Sequence, residues 1–92
     1  MNIESLVSKY INSAEKVFNK IQVKSGTIIT NEKIDNVIKY AKDYLEDSKY
    51  YKNQGEFKTS LTSIAYCEGV LDALKLLDVV NFDWITKEPT EK

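Results

Sequence analysis

Apolar residues recur at steps of three and four along three long segments of this 92-residue chain, and its single proline, Pro89, lies beyond all of them. That spacing predicts amphipathic helices, because residues three and four apart share one face of a 3.6-residue turn. The first segment covers residues 3 to 22, with Ile3, Leu6, Val7, Tyr10, Ile11, Ala14, Val17, Phe18 and Ile21 on one face. The stretch "VKSGTIIT" then breaks the pattern: Gly26 and two β-branched isoleucines predict a connection with extended character.

The second helix is expected to start at Thr30, whose hydroxyl can cap free amides of the first turn. Ile29 and Ile34 flank it as a hydrophobic staple. Its inward stripe is Ile34, Val37, Ile38, Ala41, Tyr44, Leu45 and Ser48, and it ends at "KNQG", where Gly55 suits a left-handed cap. The third segment runs from Glu56 to Asp78, with Phe57, Leu61, Ile64, Leu71 and Leu74 as its main stripe. Three such helices with short connections predict an all-α, up-and-down antiparallel three-helix bundle. Residues 1–80 form the single domain in this reading, and residues 81–92 a C-terminal tail. Phe82 and Trp84 are expected to fold back over one end of the bundle, and "TKEPTEK" to be disordered.

The third segment poses a problem. "SIAYCEGVLDALKLL" is the most apolar part of the chain, yet it holds Glu68, Gly69 and Asp72. With Ile64 at zero and about 100° per residue, Glu68 falls near +40°, inside the expected stripe, and Asp72 near +80°, at its edge. A carboxylate in a core must be paired, hydrogen-bonded or protonated. Antiparallel packing about residues 54 and 55 brings Glu68 level with Ala41, within reach of the Tyr44 and Tyr10 hydroxyls. The expectation is a hydrogen bond from one of these tyrosines to Glu68, which would fix the helix register. A ligand or metal role, or a helix rotated so that Glu68 lies at the rim, are the alternatives.

The same helix is apolar or small nearly all round. Ala65, Ala73 and Leu76 lie opposite the stripe, with Val70 and Leu77 on a flank, more than a three-helix bundle buries. Gly69 and Ala73, four residues apart, would let another backbone approach. On the second helix, Tyr40, Tyr44, Asp47 and Tyr51 form a stripe along one flank. Tyrosines there either roof the core or mark an interface. Base stacking on single strands would need a basic groove beside them. The candidate interaction or polar-core residues are therefore Tyr40, Tyr44, Asp47, Tyr51, Tyr66, Glu68, Gly69, Asp72 and Ala73.

Composition narrows the chemistry. The chain has no histidine and no arginine, so imidazole-based nucleophilic catalysis, arginine fingers and bidentate phosphate recognition are excluded. One cysteine, Cys67, gives no internal disulfide and no zinc site. No glycine-rich phosphate loop is present. Asp43, Asp47, Glu68 and Asp72 are too scattered around their helices to predict a carboxylate metal site. A net charge of −1 gives no reason to expect nucleic acid or an anionic membrane as partner. The first residues have no basic cluster ahead of an apolar run, and the expected location is the cytoplasm.

The stretch from "YAKDYLEDSKYY" through "GEFKTSLTSIAYCEGVLDALKLL" resembles a small archaeal family catalogued as domain of unknown function 357. The resemblance covers roughly residues 34–78. It rests on Tyr44, Asp47, Ser48, Tyr51 and Gly55, then Ile64, Ala65, Tyr66, Glu68, Gly69, Leu71, Asp72, Ala73 and Leu74. It implies an archaeal source and a three-helix up-and-down bundle, and no activity. Some relatives are fused to nucleotidyltransferase-like domains, which implies an accessory role. The pattern is more distantly similar to helical nucleotide-binding HEPN domains, whose ribonuclease members use an arginine and a histidine that this chain lacks. The functional expectation is a non-catalytic module for protein–protein interaction or self-association, with a protein partner or homodimer and no cofactor. A small-ligand or nucleotide-binding accessory domain using Glu68, Asp72 and nearby tyrosines is the alternative.

Overall fold

A computed structural model describes residues 2–24 and 26–84. The helices begin where side chains can satisfy the free amides. Asn2 Oδ1 accepts from Ser5 N at 2.8 Å and starts α1 (Ile3–Lys20). Thr30 Oγ1 accepts from Lys33 N at 3.3 Å and starts α2 (Asn31–Asn53), as its position in the sequence predicts. Ile34 is buried, and Ile29 packs against the same core.

Gly55 ends α2 with φ +77°. Its N–H donates to Lys52 O at 3.0 Å and the Glu56 N–H to Tyr51 O at 2.9 Å, the paired bonds of a Schellman cap. The chain reverses at once into α3 (Phe57–Leu76). The end of α3 repeats the device with a non-glycine residue. Asp78 takes φ +61°, donates to Lys75 O, and lets Val79 N reach Leu74 O. The Asp78 carboxylate also pairs with Lys24.

Close pairs between α2 and α3 show their direction. Ser48 meets Ser60, and Tyr44 meets Tyr66 farther along, so α2 and α3 run antiparallel. With α1 and α3 running the same way, their C-terminal ends lie at one end of the bundle. There β1 (Gln22–Val23) pairs antiparallel with β2 (Val80–Asn81), Gln22 opposite Asn81 and Val23 opposite Val80. The protein is an all-α three-helix bundle closed by this short clasp.

The core holds Val7, Ile11, Ala14 and Val17 from α1, Ile34, Ala41 and Leu45 from α2, and Ile64, Cys67, Leu71 and Leu74 from α3. Val79, Val80 and Phe82 complete it. Phe82 and Trp84 fold back as expected. Their rings meet edge to face at 5.3 Å, Lys75 Nζ lies 5.1 Å above the Phe82 ring, and Trp84 Nε1 donates to Asp72 Oδ1 at 2.7 Å. The expected disorder of "TKEPTEK" lies outside the described residues.

Three details depart from the pattern expected of the sequence. Ile3 and Val37 face outward, 36% and 38% exposed. More consequentially, α3 is rotated. Its buried residues are Ser60, Ser63, Ile64, Cys67, Leu71 and Leu74, centred near −50° on the same wheel, while Phe57 and Leu61 are only half-buried. The cause is a reciprocal serine pair at the α2–α3 seam. Ser48 Oγ donates to Ser60 O at 2.8 Å, Ser60 Oγ donates to Ser48 O at 2.6 Å, and the hydroxyls lie 2.9 Å apart. Both side chains are fully buried. Small residues with mutual hydrogen bonds draw the backbones together and turn Ser60, Ser63 and Cys67 inward.

Candidate functional site

The rotation decides where the candidate residues go. Glu68 is moved from the stripe to its rim and is half-buried. The expected hydrogen bond from Tyr44 or Tyr10 is not formed: the Tyr44 hydroxyl lies 3.2 Å from that of Tyr40, and no described side chain hydrogen-bonds the Glu68 carboxylate. Burial, and then the Asp72 carboxylate one turn on, push Glu68 above the ordinary carboxyl range. Asp72 is exposed at the edge of α3 and holds the Trp84 indole. Burial, and then Glu68, push the neighbouring Cys67 thiol up to about 12, so it stays a protonated core group.

Three tyrosines come together at the α2–α3 edge. Tyr40 and Tyr44, one turn apart on α2, meet edge to face at 5.2 Å. Tyr44 stacks on Tyr66 of α3 with ring centres 5.3 Å apart and planes inclined by 25°. The hydrogen bond with Tyr40, followed by desolvation, raises Tyr44 above the usual phenol value, with smaller contributions from Tyr40, Tyr66 and Asp47. Tyr51 stands apart, half-buried and edge to face with Tyr50 at 5.3 Å.

Tyr66 also walls a groove of about 420 Å³ with Leu61, Thr62 and Ala65. The Thr62 hydroxyl donates to Lys58 O at 3.1 Å, which leaves its methyl as the outward group. The face continues along α3 through Gly69, Ala73 and Leu76. All three are exposed, and a Cβ built on Gly69 would meet no atom within 4 Å. Leu76 is 87% exposed, Leu77 60% and Tyr66 59%. From Thr62 to Leu77 the charged residue nearest this side is Asp72, which lies at its margin beside Ala65. Glu68 and Asp72 follow Leu61 and Ala65 along the same margin of α3 and do not line the groove; of the two, Asp72 holds the tail through Trp84. The structure thus sets the candidates of α3 on its outer face and one margin, with the tyrosines at the α2–α3 edge.

The groove residues Leu61 and Thr62 escape sequence reasoning because one looks like core and the other like an ordinary surface polar residue. Ser60 escapes it for a similar reason. Its signal is a position level with Ser48 in the antiparallel hairpin. Among the described residues, no three histidines, cysteines or carboxylates gather where a metal could be held, and no helix is long and apolar enough to cross a membrane.

No curated protein and no solved structure shows significant similarity to the chain. Residues 9–80 match the model of a family described as protein of unknown function (DUF357), a match reaching beyond residues 34–78 into α1. The chain belongs to that family.

Proposed function

We propose that this chain is a non-catalytic helical module that binds another protein through the outer face of α3, from Thr62 to Leu77, with Tyr40, Tyr44 and Tyr66 as its flank. The observation that carries the reading is the exposure of Leu76, Leu77 and Tyr66 around the small exposed residues Ala65, Gly69 and Ala73. Leaving contiguous apolar surface in water is unfavourable, and the described chain does not cover it. Aromatic rings at its edge supply large contact area at low entropic cost. The absence of histidine and arginine supports a binding role over a chemical one.

The test is capture followed by reconstitution. Tagged wild type, Ala73→Glu and the off-face control Asn12→Glu, at an exposed site on α1, are used as baits, and captured proteins are identified and purified. A partner that binds wild type and Asn12→Glu but loses about tenfold or more in affinity for Ala73→Glu supports the reading. Equal binding by all three variants overturns the assignment of the face.

A further inference from the structure

We infer that α1, together with β1, is a lid on the α2–α3 hairpin, latched by the strap of residues 79–84, and that lid and strap open as one unit while the hairpin stays folded. This holds whatever the outer face of α3 binds. The three helices are unevenly tied to one another, and the hairpin carries its own closures. Gly55 turns α2 back into α3 through a Schellman cap, and Tyr44 stacks on Tyr66 at the edge. Across the seam the buried Ser48 and Ser60 hydroxyls each donate to the other's carbonyl. None of these ties involves α1 or the strap. They join residues close in sequence, so the hairpin needs no distant partner to form. α2 and α3 also pack more extensively on each other than either does on α1.

α1 is held differently. Val7, Ile11, Ala14 and Val17 pack into the core, and Lys49 of α2 reaches Glu15 at 2.6 Å. Both side chains of that pair are more than one third exposed, so water screens it and it adds little. Ser13 of the same helix is buried with its hydroxyl unpaired among the described residues, a desolvation cost recovered when α1 leaves. The connection to α2 turns through Gly26 at φ +76° and leaves Ile28 wholly exposed, which gives the lid slack. The strap fixes the end of the lid. β1 pairs with β2, the Lys24 N–H donates to Val79 O at 3.0 Å, and the Lys24 ammonium pairs with the Asp78 carboxylate. Val79, Val80 and Phe82 are buried where α1 and α3 end side by side, so they lose their seat when α1 moves away. The strap turns on Asp78, the one non-glycine residue with a left-handed φ among the described residues, and opening frees it from that conformation. The opened state bares the inner face of the hairpin around Ile34, Leu45, Ile64 and Leu71 and leaves the outer face of α3 as it was.

Native-state hydrogen exchange of the full chain in low urea tests this. In wild type, the amides of Ile11, Ala14, Val17 and Lys24 should exchange through one common opening. That opening should cost less, and depend less on urea, than the one that exchanges the amides of Leu45, Ile64 and Leu71 in the hairpin. Two substitutions separate lid from hairpin. Ser60→Ala should speed the hairpin amides by about fivefold and leave the α1 amides unchanged, because the seam persists in the opened state. Phe82→Ala should speed the α1 and Lys24 amides by about tenfold or more, because it weakens the latch. Trp84→Ala, which leaves Phe82 in place, should speed the same amides by a smaller factor and serves where Phe82→Ala is too unstable to measure. If the α1 amides follow those of the hairpin in wild type and in Ser60→Ala, the chain opens only as a whole and the inference falls. It falls equally if the α1 amides do not respond to the strap variants, since the strap is then no latch.

Discussion

At the scale of single residues, polar side chains explain more of this protein than apolar ones. The Ser48–Ser60 pair satisfies two buried hydroxyls at the seam between α2 and α3. Ser60→Ala should cost about 1 kcal/mol, the net worth of one hydrogen bond. Ser60→Val should cost about 2–3 kcal/mol, because the β-branched side chain overpacks the seam. Urea denaturation of the two variants checks the order. Ser60, Ser63 and Cys67 are also why the register of α3 was illegible in the sequence. A search for large apolar residues favours Phe57 and Leu61, and only the long-range partner Ser48 reveals which side turns inward. Glu68 records the outcome. Between its unfolded-state value and its higher folded value the native state holds the extra proton, so stability falls as pH rises through that window and the penalty is complete above it. Glu68→Gln should raise the midpoint of thermal unfolding at neutral pH and leave it nearly unchanged in acid. An equal shift at both pH values would point to packing instead.

At the scale of elements, two glycines make opposite demands. Gly55 holds φ +77° in the α2–α3 turn with open space around it, so Gly55→Ala should destabilise by about 1 kcal/mol through backbone conformation alone. Gly69 has helical geometry and equally open space, so Gly69→Ala should stabilise the monomer by about 0.5–1 kcal/mol. Denaturation at low protein concentration, where any association is negligible, checks both signs. The element boundaries were legible because their causes are local. Thr30 stands before the first apolar turn of α2, and Gly55 follows its last, so each signal lies within a few residues of what it determines. The open face of α3 was legible in part. Ala65, Gly69, Ala73 and Leu76 have composition enough to mark it, but the stacking of Tyr66 on Tyr44 depends on the rotation of the helix.

At the scale of the whole molecule, the three-helix architecture follows from periodicity, and its closure does not. Two-residue strands are too short to leave a periodic signal, and β1 and β2 meet only because α1 and α3 end side by side. Phe82 seals that end with its ring buried against the core. Phe82→Ala should cost about 3 kcal/mol, and Trp84→Ala less, since Trp84 is half-buried and held partly by Asp72. Chemical denaturation ranks the two. Equal and small losses would mean that the end of the bundle is closed by the strand pair alone.

The pairing of Gln22 and Val23 with Asn81 and Val80 has a consequence for synthesis on the ribosome. The α2–α3 hairpin can form from adjacent sequence as soon as both helices have emerged. The first strand must wait, unpaired, through the synthesis of α2 and α3 until its partner leaves the exit tunnel. For that interval α1 is held by side-chain packing and the Glu15–Lys49 ion pair, and the nascent chain exposes an unsatisfied strand edge. Completion of this fold is therefore timed by the appearance of residues 79–82, and a ribosome stalled when only the residues before them have left the tunnel should hold α1 protease-sensitive on an otherwise assembled hairpin.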